Sequence, residues 1–323
     1  MPSWIRVSRM RASKGSTVKV TSAIGGGQPP GSRRDSDRFT RKPKGLWRDA
    51  WSRLARDPVA VAGGLIVVFL VAVGAGASHI APYDPAAQEL ARTLAAPSPA
   101  HLLGTDALGR DILSRLMYGA GISLRIGILG TLIACVTGTT LGLISGYYGG
   151  RLDTLLMRLV DIQLAFPGLL LALCIVAIIG PGLENIIVAV GIFGIPTFAR
   201  VTRGQILTLK QQDYVSAARM LGARDDRIMV RHMLPNAMAP ILVIASFSVA
   251  TAILTAASLS FLGLGAQPPT PEWGAMLSDG REYMVIAPHV VLFPGLAILI
   301  TVLAFNLFGD GLRDALDPRL RVD

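Results

Sequence analysis

Five stretches of this chain hold no Asp, Glu, Lys or Arg: residues 58–83, 126–150, 162–183, 233–271 and 283–309. A sixth, 185–199, is shorter and has Glu184 at its edge. About 20 apolar residues in a helix cross the ~30 Å hydrocarbon core of a bilayer. Every backbone N–H and C=O in that layer must be bonded internally, which leaves helices or a closed barrel. Runs of this length select helices. The sequence therefore predicts an all-α membrane protein with six spans, near 59–80, 123–147, 158–180, 183–201, 237–263 and 288–309. Composition agrees, with only 16% charged residues, against about 25% in a soluble domain.

Positive charge sets the direction of insertion. With the N-terminus in the cytoplasm, 26 of the 31 Lys and Arg fall on the cytoplasmic side. Arg92, Arg110, Arg115, Arg125 and Arg281 are left outside. Both termini are predicted to be cytoplasmic. The net charge of +10 then reflects orientation, and nucleic acid is not a predicted partner.

Residues 1–43 are basic, rich in Ser, Gly and Pro, and read as a disordered tail. No apolar core follows the early charges until residue 59, which excludes a signal peptide. Residues 44–57 read as an amphipathic interfacial helix, with Trp47, Trp51 and Leu54 on one face. The ordinary charged flank of a first span is the alternative. The spanning domain runs over 58–312, with an outer loop at 82–121 and a cytoplasmic loop at 201–236, and 313–323 forms a cytoplasmic tail.

Gly130, Ala134, Gly138, Gly142 and Gly146 recur every four residues in the second span. Such a stripe lets another backbone approach closely and predicts tight helix packing. Asp161 opens the third span. As an ionisable residue near the membrane it is a functional candidate, against a helix cap or a pair with Arg158. Pro167, Pro196 and Pro294 interrupt apolar runs and permit kinks.

There is no Gly-Lys dipeptide, so the chain has no phosphate-cradling P-loop. His79, His101, His232 and His289 lack metal-ligand spacing, and Cys135 and Cys174 lie in apolar runs. No metal, cofactor or catalytic constellation is predicted on this chain.

The polar stretch 213–236 is different. Ala217 and Ala218 favour a helix. Gly222 can take the left-handed conformation that ends it. Asp225 and Asp226 suit the start of a second short helix, and Pro235 closes the unit before the fifth span. The result is two helices hinged at a glycine, a shape for a soluble partner to hold.

This segment resembles the cytoplasmic signature of the permeases of binding-protein-dependent ABC importers: Glu-Ala-Ala, three residues, Gly, nine residues, Ile, one residue, Leu-Pro. Ser216, Ala217, Ala218, Gly222, Leu234 and Pro235 follow the pattern, with Ser216 in place of the glutamate and His232 in place of the isoleucine. Ala223 and Asp225 belong to the same coupling segment. Two further blocks are similar to the dipeptide/oligopeptide class. One is the outer-loop motif with Gly104, Thr105, Asp106, Gly109, Arg110 and Asp111. The other is the tail from Asn306 to Pro318. The block from Leu259 to Met276 is most similar to permeases of glutathione importers.

The resemblance implies the type I importer permease fold and one half of a peptide pathway across the bacterial inner membrane. The implied partners are a second homologous permease, making a heterodimer, two ATP-binding subunits that carry ATP and Mg, a periplasmic substrate-binding protein, and the lipid bilayer. The outer motif either meets the binding protein or gates the path, or is a loop whose Asp106, Arg110 and Asp111 pair internally. A self-sufficient channel or secondary transporter is the competing function. It would show internal polar sites or inverted repeats and would not need the exposed loop.

Overall fold

The computed structural model describes residues 46–316. The predicted tail 1–43 and the last residues of the C-terminal tail lie outside them, as do the side chains of 46–49, Trp47 included. Among the described residues there are no strands, only one isolated antiparallel bridge between Thr105 and Asp111.

Helix α1 (Leu46–Leu54) precedes α2 (Pro58–Ile80). Asp57 caps α2 by accepting from the Val59 amide at 2.9 Å, and Pro58 fills the first-turn position that needs no donor. The face of α1 that is buried is Ala50 and Leu54, packed near Ala60 and Ala315. Trp51 is exposed, although it shares an apolar cavity with Leu54, Gly64 and Phe308.

Helix α3 (Ile112–Tyr148) has 37 residues, about 55 Å at 1.5 Å per residue. It starts well before the predicted span because Asp111 caps it, accepting from the Ser114 amide at 2.8 Å. Gly149, at φ +70°, ends it. The small-residue stripe faces α6 (Leu183–Leu209). A Cβ on Gly138 would sit 2.5 Å from the Ile195 carbonyl, one on Gly146 2.9 Å from Ile206, and one on Gly130 3.0 Å from Val190. Gly142 lies against the Ala199 carbonyl, and Ala134 against Gly194. Close backbone approach therefore joins α3 to α6 along most of their length.

The third predicted span is not one helix. It breaks into α4 (Gly150–Leu164) and α5 (Gly168–Ile179), bent by 92°. Pro167 is the cause, since its ring disfavours helical geometry at Phe166. The 12 residues of α5 reach only ~18 Å. Asp161 therefore lies in the last turns of α4 rather than opening a span. It pairs with Arg200 at 2.7 Å, not with Arg158.

Helix α7 (Asp213–Met220) leads to α8 (Asp225–Arg227), a π-helical turn (Ile228–Met233) and α9 (Leu234–Phe261). The last three run on as one 37-residue helix. Pro235 thus does not close a separate short helix. The π turn just before it re-registers the backbone bonds, so its missing N–H is tolerated. Helix α10 (Trp273–Gly280), between the fifth and sixth predicted spans, is capped by Glu272. Helix α11 (His289–Leu316) packs on α2 and α9. Among the described residues, five helices are long and apolar enough to cross a membrane, or six when the bent pair counts as one.

Candidate functional site: the elbow at residues 213–236

Helix α7 ends in a Schellman arrangement. The Ala223 amide donates to the Ala218 carbonyl at 3.1 Å, and the Gly222 amide to Arg219 at 3.0 Å. Gly222 has φ +77°, and nothing lies within 4 Å of where its Cβ would be. The turn therefore requires glycine for backbone conformation, not for space. Ala218 and Ala223, the residues brought together, are both half-buried against the bundle.

The elbow is fixed from behind. Val215, Ile228 and Met233 are buried with Phe198, Ile206 and Ala237. Burying side chains of this kind contributes roughly 1.5–3 kcal/mol each. Tyr147, in the last turn of α3, supplies the polar anchor. Its hydroxyl donates to Asp225 Oδ1 and accepts from Arg219 Nη2 at 3.3 Å. Its carbonyl accepts from Lys210 Nζ at 2.5 Å. Lys210 and Arg219 also sit 5.7 Å from its ring centroid, within cation–π range. One residue thus ties the ends of α3 and α6 to both arms of the elbow. Tyr147 was not legible as a site residue, and neither was the task of Lys210, the one lysine beyond residue 44.

The outward side is apolar. Met220 is 83% exposed and Leu221 88%. Ser216 and Ala217 are exposed beside them. Two large apolar side chains are thus held side by side in the open at the tip of the turn. His232 is half-buried in the π turn, and its carbonyl accepts from Asn236 Nδ2 at 2.7 Å. Leu234 is half-buried and Pro235 exposed. Neighbouring charges brace the same end of the bundle. Arg203 grips Asp153 with two bonds, of 2.6 and 2.7 Å, and Ser145 donates to the same carboxylate.

The motif at 104–111 lies at the opposite end of α3 and is folded upon itself. Asp106 Oδ2 accepts from Arg110 Nε at 2.6 Å, and Arg115 Nε lies 3.5 Å away. Asp111 pairs with His101 at 3.0 Å and takes the Ser114 hydroxyl at 2.7 Å, rather than joining Arg110. Thr105, Asp106, Arg110, Asp111 and Arg115 are all buried. Gly104 and Gly109 turn the chain with φ +80° and +73°. Asp279 of α10 adds a carboxylate 3.7 Å from Arg110. Burial pushes its carboxyl above the ordinary range, against the pull of Arg110 and Arg115. His101 and Arg115 flank the motif in sequence, whereas Asp279 and Glu272 join this end only in three dimensions. Among the described residues, no cluster of three or more His, Cys, Asp or Glu is placed to hold a metal.

The chain matches the family model "Binding-protein-dependent transport system inner membrane component" over residues 138–322. Residues 45–97 match "N-terminal TM domain of oligopeptide transport permease C". It is 54% identical over 286 residues to the glutathione transport system permease protein GsiD of Pectobacterium atrosepticum, covering 88% of this chain and 94% of that one. It is 52% identical over 276 residues to GsiD of Escherichia coli O157:H7, covering 85% and 91%. In fold it is similar to a chain of the inward-facing methionine ABC transporter MetNI. That likeness has a TM-score of 0.52 at 21% identity, over 63% of this chain and 96% of the other.

Proposed function

Because the chain belongs to the inner-membrane components of binding-protein-dependent transport systems, we propose that it forms half of the path through which glutathione or another short peptide is imported, and that residues 213–236 seat an ATP-binding subunit. It is a multi-pass inner-membrane permease subunit of a peptide ABC importer. In the proposed complex a second permease pairs with it, two ATP-binding subunits dock beneath, and a binding protein delivers the peptide from outside. ATP and Mg stay on the partner subunits. Both termini face the cytoplasm, a reading supported by the excess of Lys and Arg on that side.

The observation that carries the proposal is the exposed pair Met220–Leu221 on an elbow whose back is buried. An apolar tip fits a hydrophobic groove on a soluble subunit. The buried back makes the tip move with α3, α6 and α9 rather than bend away from them. Closure of the motor on ATP would then push the elbow and reorient the bundle as a body, the hinge-and-shear kind of transition. Enzymatic chemistry has no part on this chain in the proposal.

Co-purification tests the docking. Leu221→Asp and Met220→Asp change only exposed groups. The proposal expects both variants to fold and to pair with the second permease, yet to retain several-fold less ATP-binding subunit. Full retention in both would overturn the assignment of the elbow as the seat.

A further inference from the structure

The apolar cavity beside Trp51 has a volume of about 440 Å³. Its walls are Trp51 and Leu54 of α1, Gly64 and Val68 of α2, and Phe305 and Phe308 of α11, and no charged residue lines it. Two glycines shape it. A Cβ on Gly63 would lie 2.8 Å from the Ala304 carbonyl, so α2 and α11 meet backbone to backbone at its floor. A Cβ on Gly64 would lie 3.3 Å from Phe308 Cδ2, so a side chain there would crowd that ring.

The groove is as deep as one bilayer leaflet. From Pro58 to Val68, α2 climbs about 15 Å, half of the roughly 30 Å hydrocarbon core. Leu65 and Val68, on its wall, are exposed. Helix α1 lies at the foot, where the span begins. Its Trp51 is a residue type favoured at the headgroup level. Water does not suit the space, because only the Trp51 indole in its lining has a side-chain hydrogen-bonding group. Charge at the foot points to a second feature of the occupant. Arg53, in the last turn of α1, and Arg56, in the link to α2, have no ion pair among the described residues. Asp57 beside them is engaged with the Val59 amide as the cap of α2. Arginines at the membrane surface attract the phosphates of anionic lipids.

We infer that the groove holds one acyl chain of an anionic phospholipid, from the leaflet on the side of the termini, with its phosphate at Arg53 and Arg56. The lipid completes the seating of α1 on α2 and α11, a contact that otherwise rests on the small cluster of Ala50, Leu54, Ala60 and Ala315. This goes beyond the permease reading and does not depend on the cargo.

The test places the complete complex in phosphatidylcholine vesicles doped with a phosphatidylglycerol whose acyl chain carries a photoactivatable diazirine. Labelling at Trp51, Gly64 and Phe308 should saturate as the doped lipid is raised. Labelling at Phe69, which is exposed on α2 but lies outside the groove, should rise in proportion. Unlabelled phosphatidylglycerol should compete several-fold better than phosphatidylethanolamine, and Arg53→Gln with Arg56→Gln should remove that preference. Val61→Trp fills the groove from its open side and should abolish the saturable labelling. If that variant assembles poorly, Ala55→Phe fills it from the exposed link between α1 and α2. Proportional labelling at every position, or equal competition by the two lipids, would overturn the inference. So would a cross-link from a photoreactive residue in place of Trp51 to the second permease or to residues 1–43, because protein would then fill the groove.

Discussion

Tyr147, in the last turn of α3, donates its phenolic hydrogen to Oδ1 of Asp225, the first residue of the helix leaving the elbow. The two are 78 positions apart in sequence. The 37-residue helix α3 is thereby joined to the exposed turn at Met220–Leu221. Motion imposed on that turn reaches α3 through a bonded contact and the apolar layer of Val215, Ile228 and Met233 beneath it.

Tyr147→Phe should loosen the elbow without unfolding the bundle. The ring stays in its cluster, but Asp225 and Arg219 lose their shared partner. A hydrogen bond of this kind is worth about 1 kcal/mol, more when one group is charged. Hydrogen exchange over residues 213–228 should quicken several-fold, and peptide-stimulated ATP turnover should fall. Exchange unchanged from wild type would remove Tyr147 from the account.

Gly222→Val should uncouple ATP hydrolysis from uptake while the complex still assembles. There is room for a side chain, so the cost is the left-handed backbone, about 1–2 kcal/mol for an ordinary residue and more for a β-branched one. Gly222→Asn should be nearly silent, because asparagine tolerates that conformation. Uptake assays on both variants separate strain from bulk.

Gly142→Leu should act differently and destabilise the protein itself. Its Cβ would run into the Ala199 carbonyl and lie 2.8 Å from Thr202 Cβ, both on α6. Overpacking of this kind typically costs about 1–3 kcal/mol. The expected outcome is a lower thermal midpoint in detergent and less protein in the membrane.

Asp106→Asn should be among the most damaging single changes at the other end. It removes the carboxylate charge facing Arg110 and Arg115, both buried. Breaking one side of a buried pair costs about 3–5 kcal/mol. Asp279 gives the same cluster a pH signature. An acid whose folded pKa is raised opposes folding while it is ionised. Its penalty is absent below the ordinary aspartate pKa and complete above the raised one. Through that window stability should therefore fall as pH rises, and Asp279→Asn should remove that part of the slope, read from thermal unfolding across pH.

The membrane class was plain in the sequence because long uncharged runs leave few alternatives. The Gly130–Gly146 stripe gave a packing face, but the partner, α6, was settled only by three-dimensional approach. Pro167 was read as permitting a kink when it divides the helix. Pro235 was read as a stop when a π turn carries the helix past it. Local chemistry marks the proline in both cases, and the neighbouring backbone register decides the outcome. At the elbow, Ala218, Gly222 and Ala223 carry their meaning locally, through one turn of hydrogen bonds. Tyr147, Lys210, Arg115 and Asp279 do not, because their partners lie on other elements. The Ser216 and His232 departures are easier to understand now. Ser216 is exposed, and His232 is bonded through its carbonyl, so neither position depends on a particular charge.

The most direct test is glutathione uptake into vesicles carrying this chain, its permease partner and the binding protein, with and without the ATP-binding subunits. The account predicts accumulation only when those subunits and ATP are both present. Uptake that persists without them would contradict it and would make the chain a self-sufficient transporter.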